Sequence, residues 1–254
     1  MTHQNPTIVF IHGYLESNEV WHDFTQGFPE EYHLFMPNLP GYGPEARPVE
    51  DYSLEAAAQY LKLELDAARI GPVLLVGHSM GGYVALAFAE KHPGRVAGLC
   101  LFHSSAIPDD DDVLARRQRN LEYIRTHGVA AFAGEFLKPQ LSSAHRESME
   151  HHVAELQRIG AAVPLETALG SQEAMARRPD RRHVLERATY PVLFIAGKDD
   201  RAVSPKKTHK ESLLPDHCTV LWLARVGHLG FVERPDSTRR AIIDFAQLVF
   251  GLQA

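Results

Sequence analysis

Six short apolar runs punctuate the chain: Thr7–Ile11, His33–Met36, Val73–Val76, Gly98–Phe102, Pro191–Ala196 and Thr219–Leu223. They are continuous, not alternating, and rich in Val, Ile, Leu and Phe. A strand with one wet face alternates apolar and polar residues, whereas a strand covered on both faces has no need to. Helical patterns lie between the runs. Leu54, Ala57, Ala58, Leu61 and Leu65 fall at helical spacing within Leu54–Ala68, and Val84 and Phe88 share a face of Tyr83–Glu90, which stops before Pro93. Ile242, Phe245, Ala246 and Val249 form one stripe of Ser237–Val249. Strands alternating with helices close through right-handed crossovers into a parallel sheet. The expected fold class is therefore α/β, a mostly or wholly parallel central sheet flanked by helices.

The alternation breaks once. From Ile107 to Ala188 the patterns are helical only, with Val129, Phe132 and Phe136 on one face and Met149, Val153 and Leu156 on another. This predicts a helical insertion between the fourth and fifth strands, dividing the chain into a core of residues 1–106 and 189–254 and an insertion of residues 107–188. A length of 254 residues, 44% of them hydrophobic, is enough to build such a core.

Charge and cysteine usage exclude some classes. Net charge is −6, and the one charge run, Asp109–Asp112, is acidic and reads as a solvated loop or helix start. No nucleic-acid partner is expected. The two cysteines, Cys100 and Cys218, form no disulfide framework. Met1–Pro6 is polar, without the basic and apolar regions of a signal segment, and no apolar stretch approaches a membrane span. The expectation is a soluble, cytoplasmic protein with no membrane partner.

The most specific motif is Gly77-His78-Ser79-Met80-Gly81, followed by Gly82. It comes straight after an apolar run and straight before a helical pattern, the setting a nucleophile at a strand-to-helix turn requires. Such a turn is strained, and side chains two residues either way would collide with it. It lifts the Ser79 hydroxyl over the sheet's carboxyl edge, where the helix start adds free N–H groups and partial positive charge. A serine needs a base. Among fifteen histidines, His228 stands out, because Val226-Gly227-His228-Leu229-Gly230 follows the last strand and opens at the same edge. His3, His145, His151 and His152 lie in polar contexts and are expected to be solvated. Packing is the expected role of His78 and His103. The base needs an orienting carboxylate, and Gly197-Lys198-Asp199-Asp200 offers two after the fifth strand. The oxyanion donors expected are the N–H of Met80 and that of Tyr14, in the His12-Gly13-Tyr14 loop after the first strand.

Together these pieces resemble the α/β-hydrolase family over nearly the whole chain. The resemblance rests on His12-Gly13-Tyr14, Leu39-Pro40-Gly41-Tyr42-Gly43, Gly77-His78-Ser79-Met80-Gly81-Gly82, Gly197-Lys198-Asp199-Asp200, and Gly227-His228 running on to Glu233-Arg234-Pro235. It favours Asp200 as the triad acid, three residues after Gly197 and three before Val203. The family's usual proline position holds Ser204 instead, with Pro205 one later, so Asp199 remains the alternative. The resemblance also implies that residues 107–188 form the helical cap over the site. Family members usually begin with an antiparallel hairpin. Here six residues precede Thr7, so a sheet without those edge strands is expected.

Ser79 argues against the dehalogenases and epoxide hydrolases of this fold, which carry aspartate there. The expected activity is a serine hydrolase cleaving a small to medium carboxylic ester through an acyl-enzyme, with Ser79, Asp200 and His228 catalytic. A thioesterase, a carbon–carbon bond hydrolase or a perhydrolase with the same triad are the enzymatic alternatives, and a non-catalytic ligand-binding receptor is the alternative of another class. No Zn-type Cys/His spacing or phosphate loop is present, so no metal or organic cofactor is expected. The expected partner is a small-molecule ester.

Overall fold

The computed structural model describes residues 5–251. The first half runs β1 (Thr7–Ile11), the single turn α1 (His22–Thr25), β2 (His33–Phe35), α2 (Leu54–Ala67), β3 (Val73–His78), α3 (Met80–Lys91) and β4 (Val96–Phe102). Four helices follow without an intervening strand: α4 (Asp111–Leu137), α5 (Glu150–Ala161), α6 (Leu165–Ala176) and α7 (Arg182–Glu186). Then come β5 (Val192–Gly197), α8 (Pro205–Glu211), β6 (Cys218–Leu223), α9 (Gly230–Glu233) and α10 (Pro235–Phe250).

The strands form one sheet in the order β2-β1-β3-β4-β5-β6, and every pairing is parallel. All residues of β1, β3 and β5 are buried, as continuous apolar runs require, whereas the outer strands β2 and β6 are half-buried for most of their length. β2 and β3 flank β1 on opposite sides, so the chain reverses its direction of winding there. The loops after β1 and β3 therefore diverge above the sheet and leave a crevice between them.

Local chemistry sets the helix ends. Ser53 caps α2 by accepting from Ala56 N–H, and Asp110 caps α4 by accepting from Val113 N–H. The acidic run thus serves as a helix start. α4 turns sharply at Gly128 (φ 84°), and the face carrying Val129 and Phe132 belongs to its second half. On α10, Ile242, Phe245 and Ala246 are buried as the stripe predicts, while Val249 is only half-buried.

Some boundaries differ from expectation. β3 runs on to His78, and β4 starts at Val96, two residues before the apolar run, because pairing with neighbours extends both. α3 begins at Met80, not Tyr83. Its glycines are poor helix formers, but almost the whole helix is buried against the sheet, and packing overrides propensity. Cys100 is buried as expected, and neither cysteine forms a disulfide. Among the described residues, no helix is long and apolar enough to cross a membrane.

Candidate active site

The turn between β3 and α3 holds Ser79 at φ 51°, a left-handed conformation that a non-glycine residue adopts only under constraint. Its neighbours explain the constraint. Ser79 N–H donates to Phe102 C=O at 3.0 Å, and Ser104 Oγ donates to Ser79 C=O at 2.7 Å. A Cβ on Gly77 would lie 2.6 Å from the Gly82 Cα, and one on Gly81 would strike the Ile11 carbonyl. The motif's glycines are thus needed for close backbone approach.

Three loops bring three side chains together at the carboxyl edge. Ser79 Oγ lies 2.8 Å from His228 Nε2, and His228 Nδ1 lies 2.9 Å from Asp200 Oδ2. With Nδ1–H donating to the carboxylate, Nε2 is left free to accept the serine proton. The other Asp200 oxygen, Oδ1, accepts from Ala202 N–H at 2.8 Å and Val203 N–H at 2.9 Å. Burial disfavours the Asp200 charge, but His228 and His103 beside it prevail and hold the carboxyl well below the usual carboxylate range. Asp199 points elsewhere. It is exposed, and its Oδ2 accepts from Ser142 Oγ at 2.6 Å.

The loop after β1 packs against the start of α3, and neither Tyr14 N–H nor Met80 N–H has an acceptor among the described residues. The Tyr14 side chain is anchored elsewhere, its hydroxyl donating to Ala168 C=O at 3.0 Å.

The His228 loop is fixed from several sides. His228 N–H donates to Gln140 C=O at 2.7 Å, and Gly227 N–H donates to Glu233 Oε1 at 2.8 Å. The second Glu233 oxygen accepts from Ser142 N–H at 3.0 Å and lies 2.9 Å from His145 Nδ1. That gives a physical reason for the Glu-Arg-Pro segment after the histidine. It also corrects the reading of His145 as solvated, since this side chain is mostly buried against Glu233. His151 and His152 are exposed, and His3 lies outside the described residues.

His78 and His103 do more than pack. Both are buried and hydrogen-bonded. His103 Nδ1 lies 3.1 Å from the same Asp200 oxygen that His228 uses, and its Nε2 accepts from Gly230 N–H at 3.2 Å. Gly197 N–H also approaches Nδ1, at 3.4 Å, but the shorter Asp200 contact places the ring's one proton on Nδ1, and burial lowers its pKa to about 4. His78 and Glu16 form a buried pair with Nδ1 3.0 Å from the carboxylate. The sequence gives no role to Glu16 or Ser104, and Glu233 figures there only as part of the family match. The one available signal was that His103 and Ser104 are polar residues directly following a fully apolar strand at the edge that carries the site.

His103, Asp200 and His228 place ligand-type atoms within 4.8 Å of one another, the one such trio among the described residues. Shared protons account for that closeness. The N···O spacings of 2.9 and 3.1 Å are hydrogen bonds, whereas a zinc ion would sit about 2.0–2.2 Å from each ligand atom.

Above Ser79 and His228 opens a cavity of about 440 Å³, ample for a small-molecule ligand. Its apolar wall includes Tyr83, Tyr123, Phe132, Phe136 and Met175, contributed by α3, α4 and α6. Arg116, Arg119 and Arg201 also line it and are exposed.

Known proteins share this arrangement of chain. A family model described as alpha/beta hydrolase fold matches residues 6–235. The pimeloyl-[acyl-carrier protein] methyl ester esterase of Neisseria meningitidis serogroup A is 30% identical over 251 residues, which cover 94% of this chain and 76% of that protein. Human monoacylglycerol lipase ABHD6 is 24% identical over 94% of this chain and 75% of its own length. Among solved structures, a thermophilic esterase from Thermogutta terrifontis superposes with a TM-score of 0.89 at 26% identity, covering 96% of this chain and 90% of that one.

Proposed function

Because the chain belongs to the α/β-hydrolase fold family, we propose that it cleaves small to medium carboxylic esters through an acyl-enzyme on Ser79. The observation that carries this reading is the unbroken line from Asp200 Oδ2 through His228 to Ser79 Oγ, with spacings of 2.9 and 2.8 Å, at the floor of a cavity. His228 Nε2 takes the hydroxyl proton as Ser79 Oγ attacks the ester carbonyl carbon. The Tyr14 and Met80 N–H groups receive the resulting oxyanion, each such donor being worth about 3 kcal/mol at the transition state. Asp200 stabilises the His228 imidazolium and keeps its tautomer. Collapse expels the alcohol, which leaves with the proton from His228. Water then attacks the acyl carbon, gives its proton to His228, and the acid departs as Ser79 recovers its own. None of these steps calls on a cofactor.

In this reading residues 1–106 and 189–254 are the catalytic core, and residues 107–188 are a cap whose apolar side chains roof the acyl site. The relatives named above are esterases and a lipase, which favours an oxygen ester over the other bonds this triad can cleave. The three exposed arginines outnumber Glu135, the exposed carboxylate of the same lining, and favour a substrate carrying negative charge away from the ester.

A fluorophosphonate probe tests the assignment. The expected result is stoichiometric labelling of Ser79 and turnover of p-nitrophenyl acetate, both lost in a folded Ser79→Ala variant. Folded wild-type protein that resists the probe, or a variant that keeps its turnover, overturns it.

A further inference from the structure

The buried Glu16–His78 pair touches two loops that the chemistry must hold still. Glu16 is 3% exposed and His78 fully buried. One Glu16 oxygen accepts from Gly13 N–H at 2.6 Å, in the loop whose next residue is Tyr14. The same carboxylate faces His78 Nδ1 at 3.0 Å. On the far side of the ring, His78 Nε2 lies 2.9 Å from the backbone carbonyl oxygen of His228. A carboxylate and a carbonyl can only accept. Against an ionised Glu16, the ring meets both only when each nitrogen carries a proton, that is, as an imidazolium. A neutral ring would set a lone pair against one of the two oxygens.

The surroundings agree with that charge state. Burial disfavours charge on both groups, yet each prevails over burial for the other: His78 is raised above its ordinary value and Glu16 lowered below its own. Asp200, in the loop after β5, adds further attraction for a proton on His78. His12 and His103, which would repel it, are both lowered to about 4 by burial. The His228 ring is also close, 5.2 Å between centroids. The remaining ring neighbours, Trp21, Phe102 and Phe231, are uncharged. A buried ion pair contributes little net stability, so its worth lies in what it holds.

Resting on the ester-hydrolase reading above, we propose that Glu16 and the His78 imidazolium are positioning residues that join the oxyanion loop to the backbone of the catalytic histidine, so that turnover requires a protonated His78. When His78 loses a proton, the hydrogen bond to the carboxylate is the one retained, being charge-assisted and the stronger. Nε2 then opposes the His228 carbonyl with a lone pair, and the catalytic loop loses its tether. The loss falls on kcat and leaves KM largely unchanged, because His78 is fully buried and Glu16, though it borders the cavity, has its carboxylate engaged by Gly13 N–H and His78.

The test is kcat and KM for a p-nitrophenyl ester from about pH 6 to about pH 10, for wild type, Glu16→Gln and His78→Gln, with Ser79→Ala as the blank. Fluorophosphonate labelling of wild type comes first. Failure to label Ser79 removes the ester-hydrolase reading and with it the role in turnover, while the charge on His78 is still decided by the NMR measurement below. With labelling in place, wild-type kcat is expected to fall reversibly on the alkaline side. In Glu16→Gln that fall moves to lower pH by about 1–3 units. In His78→Gln kcat is reduced and the alkaline fall disappears. A wild-type kcat flat to the alkaline limit, or variants lowered by one constant factor at every pH, overturns the proposal. Nitrogen-15 NMR of wild type near neutral pH decides it even if the variants do not fold: two ring N–H groups on His78 support it, and one refutes it.

Discussion

Replacing Asp200 by asparagine changes one oxygen to an NH₂ and leaves the shape of the side chain intact, yet the site leaves that amide a single tolerable orientation. Oδ1 accepts two backbone N–H groups, from Ala202 and Val203. Turning the new NH₂ toward them would set donors against donors, so the amide oxygen stays there. The NH₂ must then occupy the position of Oδ2, facing Nδ1 of both His228 and His103. Each imidazole has to become an acceptor at Nδ1 and move its proton to Nε2. For His228 that proton points at Ser79 Oγ, 2.8 Å away, and the base can no longer take the serine proton. The expected loss in kcat is on the order of 10⁴-fold, as the same exchange gives in a serine-protease triad, equivalent to about 5.5 kcal/mol of barrier.

The second imidazole makes the perturbation visible in stability as well. His103 Nε2 accepts from Gly230 N–H at 3.2 Å. Protonated there, it opposes that N–H donor to donor, at a cost of about 1–3 kcal/mol. For a chain of this size each kcal/mol lowers Tm by about 2–4 °C. Steady-state hydrolysis of p-nitrophenyl acetate and a thermal melt read both effects on one preparation. Asp199→Asn, at a carboxylate that is exposed and among the described residues bound only to Ser142, should stay near wild type in both. An Asp200→Asn variant within tenfold of wild-type kcat, or Asp199→Asn as the damaging change, would mean that Asp200 does not orient the base.

Two further outcomes are expected. Glu211 is buried, with Oε1 accepting from Ser105 Oγ, Ala106 N–H and Ile107 N–H, and burial outweighs those bonds to push its carboxyl from 4.5 up to about 7. The folded state therefore prefers the protonated form: the group costs nothing in acid, and its penalty grows as pH rises from about 4.5 to about 7, reaching about 3 kcal/mol. Over that window Glu211→Gln should gain roughly 6–12 °C in Tm relative to wild type, and parallel Tm curves would dismiss the argument. At the cavity rim, Arg119→Gln with Arg201→Gln should raise KM for a carboxylate-terminated ester roughly 2–5-fold with little effect on a neutral ester of equal length. Equal effects on both esters would remove electrostatics as the cause.

The α/β architecture was legible from the sequence because it depends on neighbours in the chain. A run such as Val73–Val76 needs both faces covered, the glycines around Ser79 permit only a tight turn, and the acidic run at Asp109–Asp112 offers caps; each of these is local. β1, β3 and β5 proved fully buried and the outer two strands half-buried, which the apolar runs alone do not distinguish, since position in a sheet is a matter of pairing. Adjacent Asp199 and Asp200 are chemically equivalent as text. The fold buries one beside two imidazoles and leaves the other in solvent. Likewise the sequence marked His78 only as the neighbour of Ser79 and His103 only as the end of a strand, both expected to pack. Glu16 and Asp200, which face their ring nitrogens, lie 62 and 97 residues away along the chain. Periodicity and turn chemistry are written in short stretches of chain and can be read there. Which groups share a proton depends on distances of about 3 Å between loops remote in sequence, and only the assembled tertiary structure sets those distances.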